Sequence, residues 1–490
     1  MAERSPRQVR AVAFNTSPVE LDRALARAAG QWRSWKQRLR TDRDSEEARD
    51  DEPLEPFRAI TGLSMFRELA ELRQDPLRVP FQRWVFRLAE QRVNHEILTR
   101  RESERRLPRA MPDAPVRGRA SIAQLLRNGL SDPPRSAIWV RLFFEHAAPV
   151  SSHTVELWQR RREFARRMGI DPVAPLSAVF APATAPTEEE AALVARRSGE
   201  PALPAAPMAP ELGGPEFALD LARRLGAVTR ERIRELGARD PAELFAHALG
   251  RDVPGNWPAR LTPERLRDYF RDGDLLRSLD LQGEPLPDSL GAASTCRALS
   301  ILGAAWHEAL APGDQPFVVA HDAYGLGRHE AGALFAALPL NAGFLRRHLD
   351  VSRHALPDVQ RRVAQLWLID LGLAALRVQL VGPALSSERG FREEFAELAS
   401  RELSVSLPWE AAGALLQLGV EDEQRLIGRL LAARRAQELT EAHDEDWFRN
   451  PRAIEQLRAE ARRPPAFHAA PEAALEALQL VTRQLEALLR

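Results

Sequence analysis

Two histidines at i and i+4 on one helix face converge on a single zinc ion. A glutamate beside the first can then take a proton from the metal-bound water. The pair His-Glu occurs at His95-Glu96, His307-Glu308 and His329-Glu330. At the second and third pairs the i+4 position holds Ala311 and Ala333, and a methyl group cannot coordinate a metal. The neighbours of each pair separate them. His95 sits in an arginine-rich amphipathic stretch and reads as a structural, partly exposed histidine. His307, beside Ala304, Ala305 and Trp306, reads as packed core. His329 lies in FVVAHDAYGLGRHEAGALFAALPLNAGFLRR, residues 317–347, which joins a β-branched run, a Tyr-Gly-Leu-Gly turn and an apolar helix.

Other metal-ligand types crowd the same region: His321, Asp322, His348, His354 and Asp358. A rebuilt metal site would draw on His321, His329 and Asp358. Against it, no pair among them has the one-face spacing of metal ligands. Arginines at 346, 347 and 353 also make His348 and His354 read as solvated chain ends. Other chemistry finds less. Tyr324-Gly325-Leu326-Gly327 lacks the lysine and Ser/Thr of a phosphate loop, and no G-x-S-x-G elbow is present. Cys296 is the only cysteine, so an internal disulfide or a cysteine zinc site is excluded; within AASTCRALSILGAAW it reads as a buried, inert thiol.

The elements that must position these residues are helical. The chain has 490 residues with 44% hydrophobic and 28% charged, rich in Ala, Leu and Arg, with two tyrosines and one lysine, Lys36. Apolar residues recur at three and four from Val19 to Leu39, and amphipathic periodicity returns over FQRWVFRLAEQRVNHEILTRRESERR and most later segments. The exception is Phe317 to Ala320, whose β-branched run predicts a very small strand. The expected fold is therefore all-α with at most that one β element. Composition divides the chain into 1–55 (a helix and a charged linker), a helical region 56–170, a Pro/Ala-rich linker 171–215, and a helical region 216–490. No fixed-period repeat points to a solenoid.

Net charge is zero, which speaks against a polyanion binder, and no nucleic-acid partner is expected. The charge is unevenly placed: residues 1–170 carry 33 basic and 23 acidic groups, residues 171–490 carry 36 and 46. This predicts that the basic N-terminal part docks on the acidic remainder, with an acidic partner as the alternative. The N-terminus lacks an apolar signal core, and the most apolar stretch, from Leu366, carries Asp370 and Arg377. The expectation is a cytoplasmic protein without membrane association.

A β-run, an Asp-x-Tyr-Gly turn, a His-Glu helix and a second long helix follow in an order that resembles the thimet-oligopeptidase and oligoendopeptidase family of zinc peptidases. That family's active-site helix reads His-Glu-x-Gly-His, which HEAGA matches at His329, Glu330 and Gly332 and fails at Ala333. Glu445-Asp446-Trp447-Phe448-Arg449-Asn450-Pro451 looks like a second family motif near the C-terminus. The resemblance implies a nearly all-helical body with a central cleft. It also implies a metal ligand at His329, a general base at Glu330 and substrate contacts at Tyr324 and Gly325. Two departures matter. The third zinc ligand should be a glutamate about twenty-five residues on, where Asp358 is the nearest carboxylate. No tyrosine follows Tyr324 to stabilise a transition state. The expectation is a peptidase-like protein whose His329 and Glu330 are vestiges, without a cofactor, binding a peptide or protein partner in its cleft. The alternatives are a helical scaffold unrelated to peptidases, and an active zinc oligopeptidase with substituted ligands.

Overall fold

A computed structural model describes residues 17–40, 51–71, 77–104, 136–169, 216–238, 291–413, 419–462 and 471–489. Residues 125, 240, 241, 243, 244 and 266–268 appear as islands. The expectations for 1–16, 41–50, 171–215 and most of 121–130 and 241–283 fall outside the described residues. The described elements are α1 (Pro18–Arg40), α2 (Leu63–Glu71), α3 (Arg78–Val93), α4 (His95–Glu104), α5 (Ser136–Arg167), α6 (Phe217–Glu235), α7 (Ala292–Ala309), α8 (Phe317–Ala320), α9 (Leu326–Ala336), α10 (Ala342–His348), α11 (Leu356–Gln379), α12 (Val381–Ser386), α13 (Glu388–Leu403), α14 (Asp422–His443), α15 (Pro451–Ala461) and α16 (Pro471–Leu489). No strand occurs among the described residues.

The expected strand at 317–320 is instead one helical turn, α8. Its cause lies 295 residues away: Asp22 on α1 accepts hydrogen bonds from the backbone N–H groups of Phe317 (2.9 Å) and Val318 (3.0 Å). Those N–H groups are orphans at any helix start, so a carboxylate fixed above them outweighs the weak β preference of two valines. The long helix expected from Phe81 onward breaks at Asn94 into α3 and α4. Asn94 is fully buried and donates to Glu90, which also takes a 2.5 Å hydrogen bond from Arg161 on α5.

Among the described residues three apolar clusters make the core. The first joins α5 and α6 to the long α11, with α13, α14 and α16 around it: Phe143, Trp158, Leu225, Leu376, Phe395, Leu430 and Leu485 are all buried there. The second packs α7, α9 and α10 against the start of α11, closed by Trp447 and Phe448. The third gathers Trp32 and Trp35 of α1 with α2 to α4, and takes in Val318 and Tyr324 from the middle of the chain. The helical stretch Leu356–Leu385 contains an 18-residue window with the mean hydropathy of a membrane span (1.5), but 67% of that window is buried within the protein, as expected of a core helix.

The EDWFRNP segment works as a clamp. Trp447–Arg449 forms a 3-10 turn, Asn450 caps α15 by accepting from Arg452 N–H, and Phe448 meets Phe344 edge to face at 5.5 Å. Asp446 pairs with Arg347, and Asn341 donates to the Glu445 carbonyl at 2.7 Å. The ring of His348 packs on Phe344 (5.2 Å) and Phe448 (5.6 Å), so this residue is not the solvated chain end expected. Burial first, then Arg449 and Arg347, push its pKa down to about 4. His354 is exposed, as expected.

Candidate functional site

The helix that carries His329 is set by the turn before it. The carboxylate of Asp322 accepts from the N–H groups of Tyr324 (3.0 Å) and Leu326 (3.2 Å) and pairs with Arg83 at 3.0 Å. Burial alone would raise its pKa; Arg83 and the two N–H groups hold it below the usual carboxylate range instead. Gly325 then takes a left-handed conformation, φ +70°, which a side chain would strain. Helix α9 runs between α7 and α14 at very short range. A Cβ on Gly303 of α7 would lie 2.9 Å from the Ala331 carbonyl oxygen, and one on Gly428 of α14 would lie 2.9 Å from the Glu330 nitrogen.

Passing so close to α14, the His-Glu pair meets two different groups. His329 Nε2 lies 3.1 Å from Glu421 Oε2, so its N–H donates to that carboxylate. Glu421 immediately precedes α14 and is almost fully buried. It also accepts from Arg87 and from Arg328 (2.7 Å), with Arg425 at 3.6 Å. Against the raising effect of burial, Arg328 and Arg87 and then His329 hold its carboxyl well below the usual range. Burial lowers the pKa of His329 to about 4, so the imidazole is neutral near pH 7. Glu330 lies along the helix in the other direction, 3.7 Å from Arg435 Nε. Burial raises its pKa; Arg435 opposes this, and Glu460 and Glu438 add to it.

Glu421 and Arg435 are separated by fourteen positions on one helix, roughly 20 Å along its axis, with Gly428 midway. The two side chains therefore diverge, whereas zinc hydrolysis needs them to meet at one water. Ala333 is half-buried and packs against the cluster around Trp306 and Phe335. Asp358 is 73% exposed and lies 3.8 Å from Arg361. The His321 ring packs at a tilt against Phe317, 5.0 Å between centroids, and faces a different cavity. The structure thus does not bring His321, His329 and Asp358 together. Among the described residues no three His, Cys, Asp or Glu side chains are grouped as a metal site. A zinc ion at His329 would meet the guanidinium groups of Arg87, Arg328 and Arg425, so the residues present do not fit it.

The remaining candidates fall into place as structure. Tyr324 is 1% exposed, its ring facing Arg83 (4.9 Å) and Arg87 (5.5 Å), and it presents almost no surface to a ligand. Gly325 sits beside it on the wall of the cavity that His321 faces. His307 is packed against Gly327, and burial lowers its pKa to about 4. His95 packs against Trp35 at 4.6 Å. Burial pushes the Cys296 thiol up to about 12, which leaves it unreactive.

Glu421, the centre of this cluster, escaped the sequence reading. Its single local sign is an acidic residue at a helix start, which is common. Arg87 and Arg328 carried no sign, being two arginines among many.

No family model matches the sequence, and no curated protein is similar to it. Solved structures do match in fold. A Bacillus anthracis str. Ames protein described as an oligoendopeptidase F aligns with a TM-score of 0.59 at 9% identity, over 99% of this chain and 97% of its own. PZ peptidase A, solved with an inhibitor, aligns with a TM-score of 0.59 at 10% identity, over 99% of this chain and 94% of its own. The all-helical architecture is that of these oligopeptidases, and at such identity the likeness extends to the fold alone.

Proposed function

We propose that this chain is a non-hydrolytic relative of the helical oligopeptidases, a soluble cytoplasmic protein that binds a peptide or a protein partner. The observation that carries the reading is the pairing of His329 with Glu421 inside a ring of arginines. An oligopeptidase needs an imidazole and a carboxylate free to share one metal and one water. Here the imidazole nitrogen is committed to an internal ion cluster, Glu330 faces Arg435, and Ala333 supplies no ligand. The same three positions are strong points of helix packing, which explains a helix of this pattern without catalysis.

The test is metal analysis of the purified protein together with hydrolysis of a mixed peptide library. Zinc well below one per chain and no cleavage are expected. Zinc near one per chain, with cleavage abolished by Glu330→Gln, would overturn the reading.

A further inference from the structure

A hollow of ≈ 330 Å³ lies between α6, α11 and α13, lined by Arg223 and Arg230 of α6, Gln379 of α11, and Arg401 and Glu402 of α13. Arg223, Gly226 and Arg230 stand at i, i+3 and i+7, on one face of α6. A Cβ on Gly226 would lie 2.5 Å from Glu402 Oε2 and 3.2 Å from Gln379 Nε2. The carboxylate and the amide are thus laid against bare helix backbone between the two arginines.

The charges do not cancel when every pairing is counted. Glu402, 1% exposed, is the one carboxylate on these walls. Arg230 Nη2 donates to both its oxygens (3.0 and 3.2 Å), and Arg401 Nε donates to its Oε1 (3.0 Å). Among the described residues no other carboxylate pairs with Arg230 or Arg401, and Arg223 pairs with none. Three guanidinium groups therefore face one carboxylate, a surplus of two positive charges. The C-terminal end of α13 offsets about half a charge of that.

Hydrogen-bond donors are left over as well. Arg401 Nη2 donates to Gln379 Oε1 at 3.1 Å, and because a guanidinium only donates, this contact fixes which end of the amide is which. Gln379 Nε2 and Arg230 Nε are then buried donors with no acceptor. Such orphans are rare in folded proteins, and two on the walls of one hollow, beside surplus positive charge, point to a missing anion. A carboxylate would leave part of the surplus unmatched. A phosphate monoester carries about −1.5 to −2 charges near pH 7 and offers three acceptor oxygens to forked guanidinium donors. The volume is at the lower end for small-ligand sites, which leaves room beside a phosphate, and the lack of any apolar side chain on the walls suits a polar substituent.

We infer that this hollow binds the phosphate group of a small, polar phosphorylated compound. Glu402 holds the guanidinium groups of Arg230 and Arg401 in place in advance, and the exposed Arg223 closes on the ligand from α6. The site goes beyond the peptide-binding reading and does not depend on it.

The experiment is calorimetric titration of the full chain, at one ionic strength near neutral pH, with glycerol 3-phosphate, inorganic phosphate and acetate. Glycerol 3-phosphate should bind most tightly, and both phosphates should bind about tenfold or more tightly than acetate. Arg223→Gln, at an exposed side chain with no ion pair to lose, should weaken both phosphates about tenfold and leave the ligand-free melting midpoint unchanged. Arg224→Gln is the control: this neighbour pairs with Asp220 at 2.7 Å outside the hollow, and its loss should leave phosphate affinity within about twofold. Acetate binding as tightly as the phosphates, no binding of either phosphate, or full affinity in Arg223→Gln overturns the inference. Equal losses in Arg223→Gln and Arg224→Gln overturn it too, because they would show diffuse attraction to a basic helix face. Inorganic phosphate binding more tightly than glycerol 3-phosphate would give the hollow to the free ion and overturn the monoester. All these outcomes are independent of the zinc and hydrolysis test.

Discussion

Glu421 is a carboxylate with 6% exposure, surrounded by Arg87, Arg328, Arg425 and His329. Removing its charge leaves guanidinium groups in a low-dielectric site without a counterion, which costs more than the net worth of any single pair. Glu421→Gln should therefore destabilise the protein by about 3–5 kcal/mol in urea unfolding. Asp358→Asn, at an exposed side chain, should stay within about 0.5 kcal/mol of the parent. Similar losses at both positions would show that the cluster is not the strong point claimed. The contrast also marks how much of the site was legible in the sequence. His329, Glu330 and Ala333 could be read because a helix turns their spacing directly into geometry. Glu421, ninety-two positions from His329, acquires its role only when α9 meets α14, and no local pattern encodes that meeting.

At the scale of elements, helix periodicity was strong enough to give the all-helical class, while element ends were decided by distant side chains. The β-branched run at 317–320 became a helical turn because Asp22 supplies acceptors for its first N–H groups. The break at Asn94 follows from a buried polar knot that includes Arg161 of another helix. Close packing of α9 follows from glycines, whose spacing in the sequence gave no warning. A Cβ at Gly428 would stand 2.9 to 3.0 Å from backbone and Cβ atoms of His329 and Glu330, none of them able to rotate away. Gly428→Ala must therefore push α14 from α9, at about 1–3 kcal/mol by overpacking. Because the same shift stretches the His329–Glu421 contact, which opposes the lowering of the histidine pKa by burial, the imidazole of the variant should titrate further below the ordinary histidine value in NMR. An unchanged unfolding midpoint and an unchanged titration would show that the two helices have room to spare.

For the whole molecule, the uneven charge of the sequence resolves into specific contacts: Arg33 with Glu308, Arg83 with Asp322, Arg87 with Glu421. Arg83 and Asp322 are almost wholly buried, with 1% and 2% of their side chains exposed, so salt screens this pair little. Three histidines set the acid limit. His307, His329 and His348 have folded pKa values lowered to about 4 from 6.5, chiefly by burial. A base whose pKa is depressed by folding stays neutral when folded and takes up a proton on unfolding. The stability it confers is complete above about 6.5 and drains away as the pH falls toward 4. The melting midpoint should be level from pH 8 to 7 and fall progressively between pH 6.5 and 4; a flat profile through that interval would mean these imidazoles are solvated.

The apolar core has a further consequence. Trp158 of α5 shares one cluster with Leu376 and Leu485, and Val318 and Tyr324 share another with Trp32 and Trp35. Each part of the chain thus completes the other's interior, and the contacts described between them do not depend on the peptide bonds of 171–215. A chain nicked in that stretch should remain a stoichiometric two-piece complex through gel filtration. Either piece produced alone should expose a wall of tryptophan, leucine and unmatched arginine or carboxylate, and be insoluble until its counterpart is supplied.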